Sequence, residues 1–316
     1  MKVKHLPKYT ELLRLLWKYG HSNVFQKAQF QAELGEEDAG KTNGHEPSPD
    51  DFAKDFEKLG ATFIKLGQVL STRPDLLPDP YLDALSRLQD DLEPFPFSEV
   101  EVIVQEELGV RISKAFQVFE QEPLASASLG QVHRAVLRDG KEVAVKVQRP
   151  GIRQRILEDL EALEEAAVFL ENTSKTVRRI ELSGLVQQFR KVLLSELDHR
   201  LEARNLQTLA KNLEDFDLIV VPLPVESYSS GKVLTMDFIK GKKVTKISPL
   251  HRMEIDGEAL ADQFFKAYLK QLVNDGFMHA DPHPGNVHLT DDNRLALIDL
   301  GMVVRLNQEI QEKYLQ

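Results

Sequence analysis

Apolar and polar positions alternate through Glu142-Val-Ala-Val-Lys-Val-Gln148, the period-two pattern of a half-buried strand. Comparable runs predict strands over residues 115–120, 130–138, 218–221, 225–228 and 233–238. A period near 3.6 predicts helices over 51–70, 97–108, 151–172, 181–213 and 257–275. Pro74 and Pro78 break the first of these, Pro80 opens a further helix, and Gly109 ends the helix that begins at Phe97. Residues 3–33 read as one or two amphipathic helices with Leu12, Leu13, Leu15, Leu16 and Phe25 apolar. Residues 34–50 are polar and rich in Gly and Pro, the composition of a flexible linker. Helices and strands come in a mixed order without an internal repeat, so the fold class is α+β.

Composition narrows the function classes. The chain has 316 residues, 42% of them hydrophobic, enough to bury a core. Its formal net charge of −10, with no basic run, argues against nucleic acid as a partner. With no cysteine there is no disulfide, thiolate zinc site or thiol nucleophile, which fits a reducing compartment. The apolar run Leu12–Trp17 is interrupted by Arg14 and is too short for a secretory signal. No window reaches about 18 uninterrupted apolar residues, so no transmembrane helix is expected. A cytoplasmic protein, peripheral at the membrane if attached at all, is the expectation.

The candidate chemistry is concentrated near the C-terminal end, in His279-Ala-Asp-Pro-His-Pro-Gly-Asn286 followed by Ile298-Asp-Leu-Gly301. Asp281 precedes Asn286 by five positions, and Asn286 precedes Asp299 by thirteen. These are the offsets of a protein-kinase catalytic loop and its D-F-G segment. Phosphoryl transfer needs one carboxylate beside the attacking group. It also needs an amide oxygen and a second carboxylate to hold Mg²⁺ against nucleotide phosphates. Upstream, the strand carrying Lys146 resembles the V-A-I-K strand, whose lysine reaches the α/β-phosphates. Before it, Ala125-Ser-Ala-Ser-Leu-Gly-Gln-Val132 stands where a Gly-rich phosphate loop would be. Only Gly130 remains of those glycines, so the backbone could still offer N–H groups to phosphate, but in a different geometry.

With these residues in view, the chain resembles the UbiB family of atypical kinases, associated with ubiquinone biosynthesis, over roughly residues 50 to 316. Phe63-Ile-Lys-Leu-Gly-Gln68 looks like its K-x-G-Q signature, residues 125–132 its Ala-rich loop, and Glu196-Leu-Asp198 its E-x-D motif. The resemblance implies a protein-kinase-like fold in four segments. Residues 1–50 are an N-terminal helical segment and linker; 51–114 are a K-x-G-Q helical extension over the nucleotide cleft. Residues 115–240 are a β-sheet small lobe with inserted helices, and 241–316 open an incomplete helical large lobe. Only fifteen residues follow Gly301, so either a truncated chain or an unusually short gene product is expected. The resemblance further implies ATP or ADP with Mg²⁺ as cofactors. Ala125, Ser126, Ala127, Ser128, Gly130, Val132 and Ala144 would surround the nucleotide with Lys146; Asn286 and Asp299 would hold the metal. Glu202 would pair with Lys146, Lys65 with Glu196 of the E-x-D motif beside Asp198, and Asp281 would orient the attacking hydroxyl or water. A helix over the cleft would obstruct protein substrates and favour a small or lipid-like acceptor, such as a quinone precursor, or water.

Each residue also has a plainer explanation. Lys146 could be a strand-end lysine reaching solvent, and Glu196 and Glu202 could be solvated charges on an exposed helix. Lys65, beside Phe63, Ile64, Leu66 and Val69, could be a surface residue. His279, His283 and His288 could suggest zinc, but Pro282 and Pro284 exclude the one-turn helical spacing such a site would use. His279 then braces the loop, and Ala280 stands where ordinary kinases carry the arginine that receives a phosphorylated activation loop. The rival class is a nucleotide-responsive scaffold that uses Lys146, Asn286 and Asp299 without turnover, to organise protein partners.

Overall fold

This computed structural model describes Lys18 and residues 48–88, 92–173, 181–280 and 283–314. The expected helices over 3–33 and most of the linker over 34–50 lie outside the described residues. Among the described residues, in chain order from Ser48, come helices α1 (Pro49–Leu59), α2 (Ala61–Ser71), α3 (Asp79–Ser86), α4 (Phe97–Leu108) and the short α5 (Ile112–Ala115). Next come β1 (Phe116–Phe119), β2 (Ala125–Ser126), β3 (Gly130–Leu137) and β4 (Glu142–Gln148). The long helices are α6 (Ile152–Thr173), α7 (Leu182–Glu196) and α8 (His199–Asn212). After β5 (Ile219–Val220), β6 (Val233–Asp237) and β7 (Gly241–Lys243) come α9 (Pro249–Glu254) and α10 (Gly257–Lys270). The chain then forms β8 (Phe277–His279), β9 (Val287–Thr290), β10 (Leu295–Leu297), β11 (Val303–Arg305) and α11 (Gln308–Tyr314).

These elements divide between two compact units. The first takes the sequence to Glu93, Ala127–Leu129 and Gly151–Leu194; the second takes Pro94–Ser126, Gly130–Pro150 and Ser195–Gln316. In the first unit α1, α2 and α3 bury Phe52, Phe56, Phe63, Ile64 and Leu85 together with Ala162 of α6. One helix was expected over 51–70, but two are present. Gly60 adopts φ +97, donates its N–H to Glu57 O and turns the chain between them; only glycine enters that region freely. Helix α1 begins earlier than expected because Ser48 caps it and Pro49 takes its first position. Gly67 of α2 is buried, and a Cβ there would come within 2.3 Å of Leu88 Cδ1. Thr62 Oγ1 donates to the Asp159 carboxylate at 2.6 Å and so joins α2 to α6.

The second unit is built on an antiparallel sheet in the order β1-β3-β4-β6, with β2 on β3. Val143, Val145 and Val147 are fully buried on one face of β4, as the alternation requires. They pack with Val100 and Val104 of α4 and with Phe116. Helix α4 ends at Gly109 in the left-handed conformation, φ +71. The strand expected over 225–228 is instead an isolated bridge, Pro224 to Met236, followed by a 3₁₀ turn over Glu226–Tyr228. Turn-forming Ser229 explains the difference, since its hydroxyl receives the Thr235 N–H and donates to Val225 O, curling the segment. A second sheet, in the order β5-β10-β9-β7, carries the hairpin between Asn286 and Asp299; β8 pairs with β11. Leu206, Leu209, Leu234, Leu297 and Leu300 form the core beside it.

A closed polar network ties β3 to the segment before α4. Gln131 Oε1 accepts from Phe95 N–H, and its amide nitrogen lies 2.9 Å from His133 Nε2. His133 Nδ1 lies 2.9 Å from Glu120 O, which can only accept, so Nδ1 bears the proton and Nε2 accepts from Gln131. Burial pushes the His133 pKa down against that backbone bond, and burial also lowers His288. A histidine whose folded pKa is depressed stays neutral while the unfolded chain takes up protons. Stability should therefore be full above about pH 6.5 and fall below it, by at most about 1.4 kcal/mol per pH unit for each histidine. Urea denaturation at pH 7.5 and 5.5 measures this, and His133→Gln should remove part of the acid loss.

Candidate functional site

Within the second unit, the alternation of β4 turns Lys146 away from the valine face, between Val132 on β3 and Leu234 on β6. Two residues on, Gln148 donates to Leu197 O at 2.8 Å and fixes the turn that starts α8. A single helix was expected over 181–213. It is interrupted because Asp198 is extended (φ −105, ψ 94) and caps α8, its carboxylate accepting from Arg200 N–H. Helix α8 buries His199, Glu202, Asn205, Leu206 and Leu209 on one stripe.

That stripe carries the polar contacts. The Lys146 ammonium lies 3.0 Å from both Glu202 carboxylate oxygens. Glu202 is only 3% exposed, so burial alone would raise its pKa; Lys146, and then His199, outweigh burial and lower it, with Asp299 opposing them. One turn further on, Asn205 donates to Leu300 O at 2.9 Å, so α8 holds both the lysine and the segment after Asp299. Asp299 has φ +58, and its Oδ1 lies 3.6 Å from Lys146 Nζ and accepts from Gly301 N–H.

The β9–β10 hairpin brings Asn286 to the same end as Asp299. Val287 pairs with Leu297, and Ile298 N–H donates to Asn286 O at 3.0 Å. An amide oxygen and a carboxylate are thus presented from one hairpin end. Among the described residues no group of three or more His, Asp or Glu gathers as a protein-only metal cage. Mg²⁺ ordinarily takes one or two carboxylates and completes its shell with phosphate and water, so this donor set fits a nucleotide-bound Mg²⁺.

The remaining expected residues are distributed as follows. Asp281 lies outside the described residues. Before it, His279 is buried, with its N–H held by Gln271 Oε1 and its Nε2 3.3 Å from Ile298 O. Gln271 opens a π-helical turn, Gln271–Asp275, where an α-helix had been expected to continue to 275; Gly276 in the left-handed region then ends it. Ala125 and Ser126 form β2, paired with Val132 and Gln131, and Ser126 Oγ accepts from Arg149. A Cβ on Gly130 would fall 2.4 Å from Val147 O, so contact with β4 requires this glycine. Ala144 is buried in β4. Ala127 and Ser128 belong to the first unit, as does Lys65, half-buried in the middle of α2. Glu196 ends α7, and its Cγ would lie 3.8 Å from a Cβ on Gly301.

The sequence reading passed over Gln148, His199, Asn205 and Gln271. Two had a usable signal: His199 and Asn205 flank Glu202 at i−3 and i+3, the spacing of one helix face.

A family model described as ABC1 atypical kinase-like domain matches residues 87–316. A chloroplastic Arabidopsis thaliana protein, ACTIVITY OF BC1 COMPLEX KINASE 8, is 41% identical over 82% of this chain and 34% of its own length. An Azotobacter vinelandii protein named "Probable protein kinase UbiB" is 40% identical over 81% of this chain and 49% of its own. The chain thus spans half or less of these relatives. A Mycobacterium tuberculosis protein solved in complex with erythromycin is 31% identical with a TM-score of 0.50, covering 79% of this chain and 62% of that one. Among the described residues no helix is long and apolar enough to cross a membrane.

Proposed function

The chain belongs to the ABC1 atypical kinase-like family, with a kinase-like α+β fold, and from that premise we propose that it binds ATP or ADP and transfers or hydrolyses the terminal phosphoryl group. The observation that carries this reading is the buried Glu202 carboxylate held on Lys146, with Asp299 3.6 Å from the same ammonium. Lys146 places a point charge on the α/β-phosphates, and Glu202 keeps it there. Asn286 and Asp299 hold Mg²⁺, which neutralises phosphate charge when bound. Ala125, Ser126 and Gly130 cover the phosphates, while Val132 and Ala144 line the nucleotide. Asp281 orients the attacking hydroxyl or water. The acceptor is water or a small lipid-like molecule such as a quinone precursor, met by a cytoplasmic protein at a membrane surface and serving ubiquinone or isoprenoid-lipid metabolism.

The test is phosphate release from ATP with Mg²⁺, with and without a quinone-like phenol and anionic liposomes, alongside ADP binding by calorimetry. Turnover stimulated by phenol or lipid is the expected result. Binding without turnover in any arm would favour the scaffold that organises protein partners. Absence of nucleotide binding would overturn both.

A further inference from the structure

His199 opens α8 and is 3% exposed. Its backbone N–H donates to Gly231 O at 3.2 Å, which fixes the residue in place. Its Nδ1 lies 3.5 Å from Glu202 Oε2, the same oxygen that Lys146 approaches at 3.0 Å. That separation is longer than a formed hydrogen bond, and among the described residues neither ring nitrogen has a hydrogen-bond partner. Two unmet polar atoms in a buried ring oppose folding, whereas a phenyl ring of similar shape would not. The cost is explained if the ring is needed in a state other than the one seen without nucleotide. Phosphates that draw on the Lys146 ammonium leave Glu202 with less compensation, in a place where burial already disfavours its charge. A second donor is then required, and Nδ1 is within a small shift of supplying it.

We propose that His199 is a positioning residue for Glu202, its Nδ1–H giving the buried carboxylate a second donor that keeps both oxygens turned to Lys146 while phosphates compete for that ammonium. The proposal rests on the nucleotide reading above.

Three variants separate the donor from the shape of the ring. The amide nitrogen of Asn overlays Nδ1, that of Gln overlays Nε2, and Phe keeps the ring without either. Mg²⁺–ADP affinity should fall about tenfold in His199→Phe and His199→Gln, the scale of one hydrogen bond to a charged group. His199→Asn should restore most of it. His199→Phe should melt no lower than wild type. A second measurement needs no nucleotide: trace acetylation of Lys146, followed by mass spectrometry. The rate should rise several-fold in the Phe and Gln variants and stay near wild type in Asn. A wild-type protein that fails to bind ADP would defeat the nucleotide reading, leaving acetylation to decide the positioning. Equal losses in Phe and Asn, or wild-type behaviour of Phe in both measurements, would overturn the proposal.

Discussion

Lys146→Met should destabilise the second unit by about 3–5 kcal/mol at pH 7.5, because it leaves a buried carboxylate without its main counter-charge. Both Glu202 oxygens are 3.0 Å from the ammonium, and the Glu202 side chain is 3% exposed. The carboxyl will respond by taking up a proton, so its folded pKa rises above the ordinary 4.3 or so. A raised carboxyl pKa gives a stability that is lost as pH increases through that range. The deficit of the variant relative to wild type should therefore shrink at pH 5. Removing both charges, as Lys146→Met with Glu202→Leu, should recover much of the loss, since a buried pair contributes little net stability over an apolar pair of similar size. Urea denaturation of the three proteins at the two pH values tests this. A change below about 0.5 kcal/mol in the single variant would mean that Lys146 acts as an ordinary surface lysine.

Strand β4 was readable in the sequence because a β-branched valine recurs at every second position from Val143 to Val147, and all three are fully buried. Helix α4 was readable to the residue because Pro96 and Gly109 bracket it. Breaks that depend on one residue's backbone were missed. Gly60 can sit inside a helix as easily as between two, and Asp198 can be a solvated charge or a cap; tertiary contacts decide both. The Asn286–Asp299 spacing was legible because one hairpin spans it. The Asn205–Leu300 contact was not, since it joins residues 95 apart and its geometry comes from packing. Gly130 was read as a remnant of a phosphate loop, whereas the approach of Val147 O supplies a packing reason for it.

Asp299→Asn should leave stability within about 0.5 kcal/mol while lowering Mg²⁺-dependent nucleotide affinity by about a hundredfold or more. The two effects separate for physical reasons. Asn tolerates the left-handed backbone at φ +58, so the turn after β10 survives. The Asp299 side chain is 51% exposed, and its contact with Lys146 at 3.6 Å is therefore worth little to the fold. Losing its charge also removes an influence that, besides burial, opposes ionised Glu202, so the Lys146–Glu202 pair is left slightly better off. What Asn cannot supply is the anionic oxygen that a hard divalent cation requires. A hundredfold loss corresponds to about 2.7 kcal/mol of coupling between metal and nucleotide. Calorimetric titration with ADP, with and without Mg²⁺, reads that coupling directly. In wild type Mg²⁺ should tighten ADP binding; in the variant, affinity should be the same with the metal as with a chelator. A variant that keeps the full Mg²⁺ effect would remove Asp299 from the metal site, and with it the phosphoryl-transfer reading built on the hairpin.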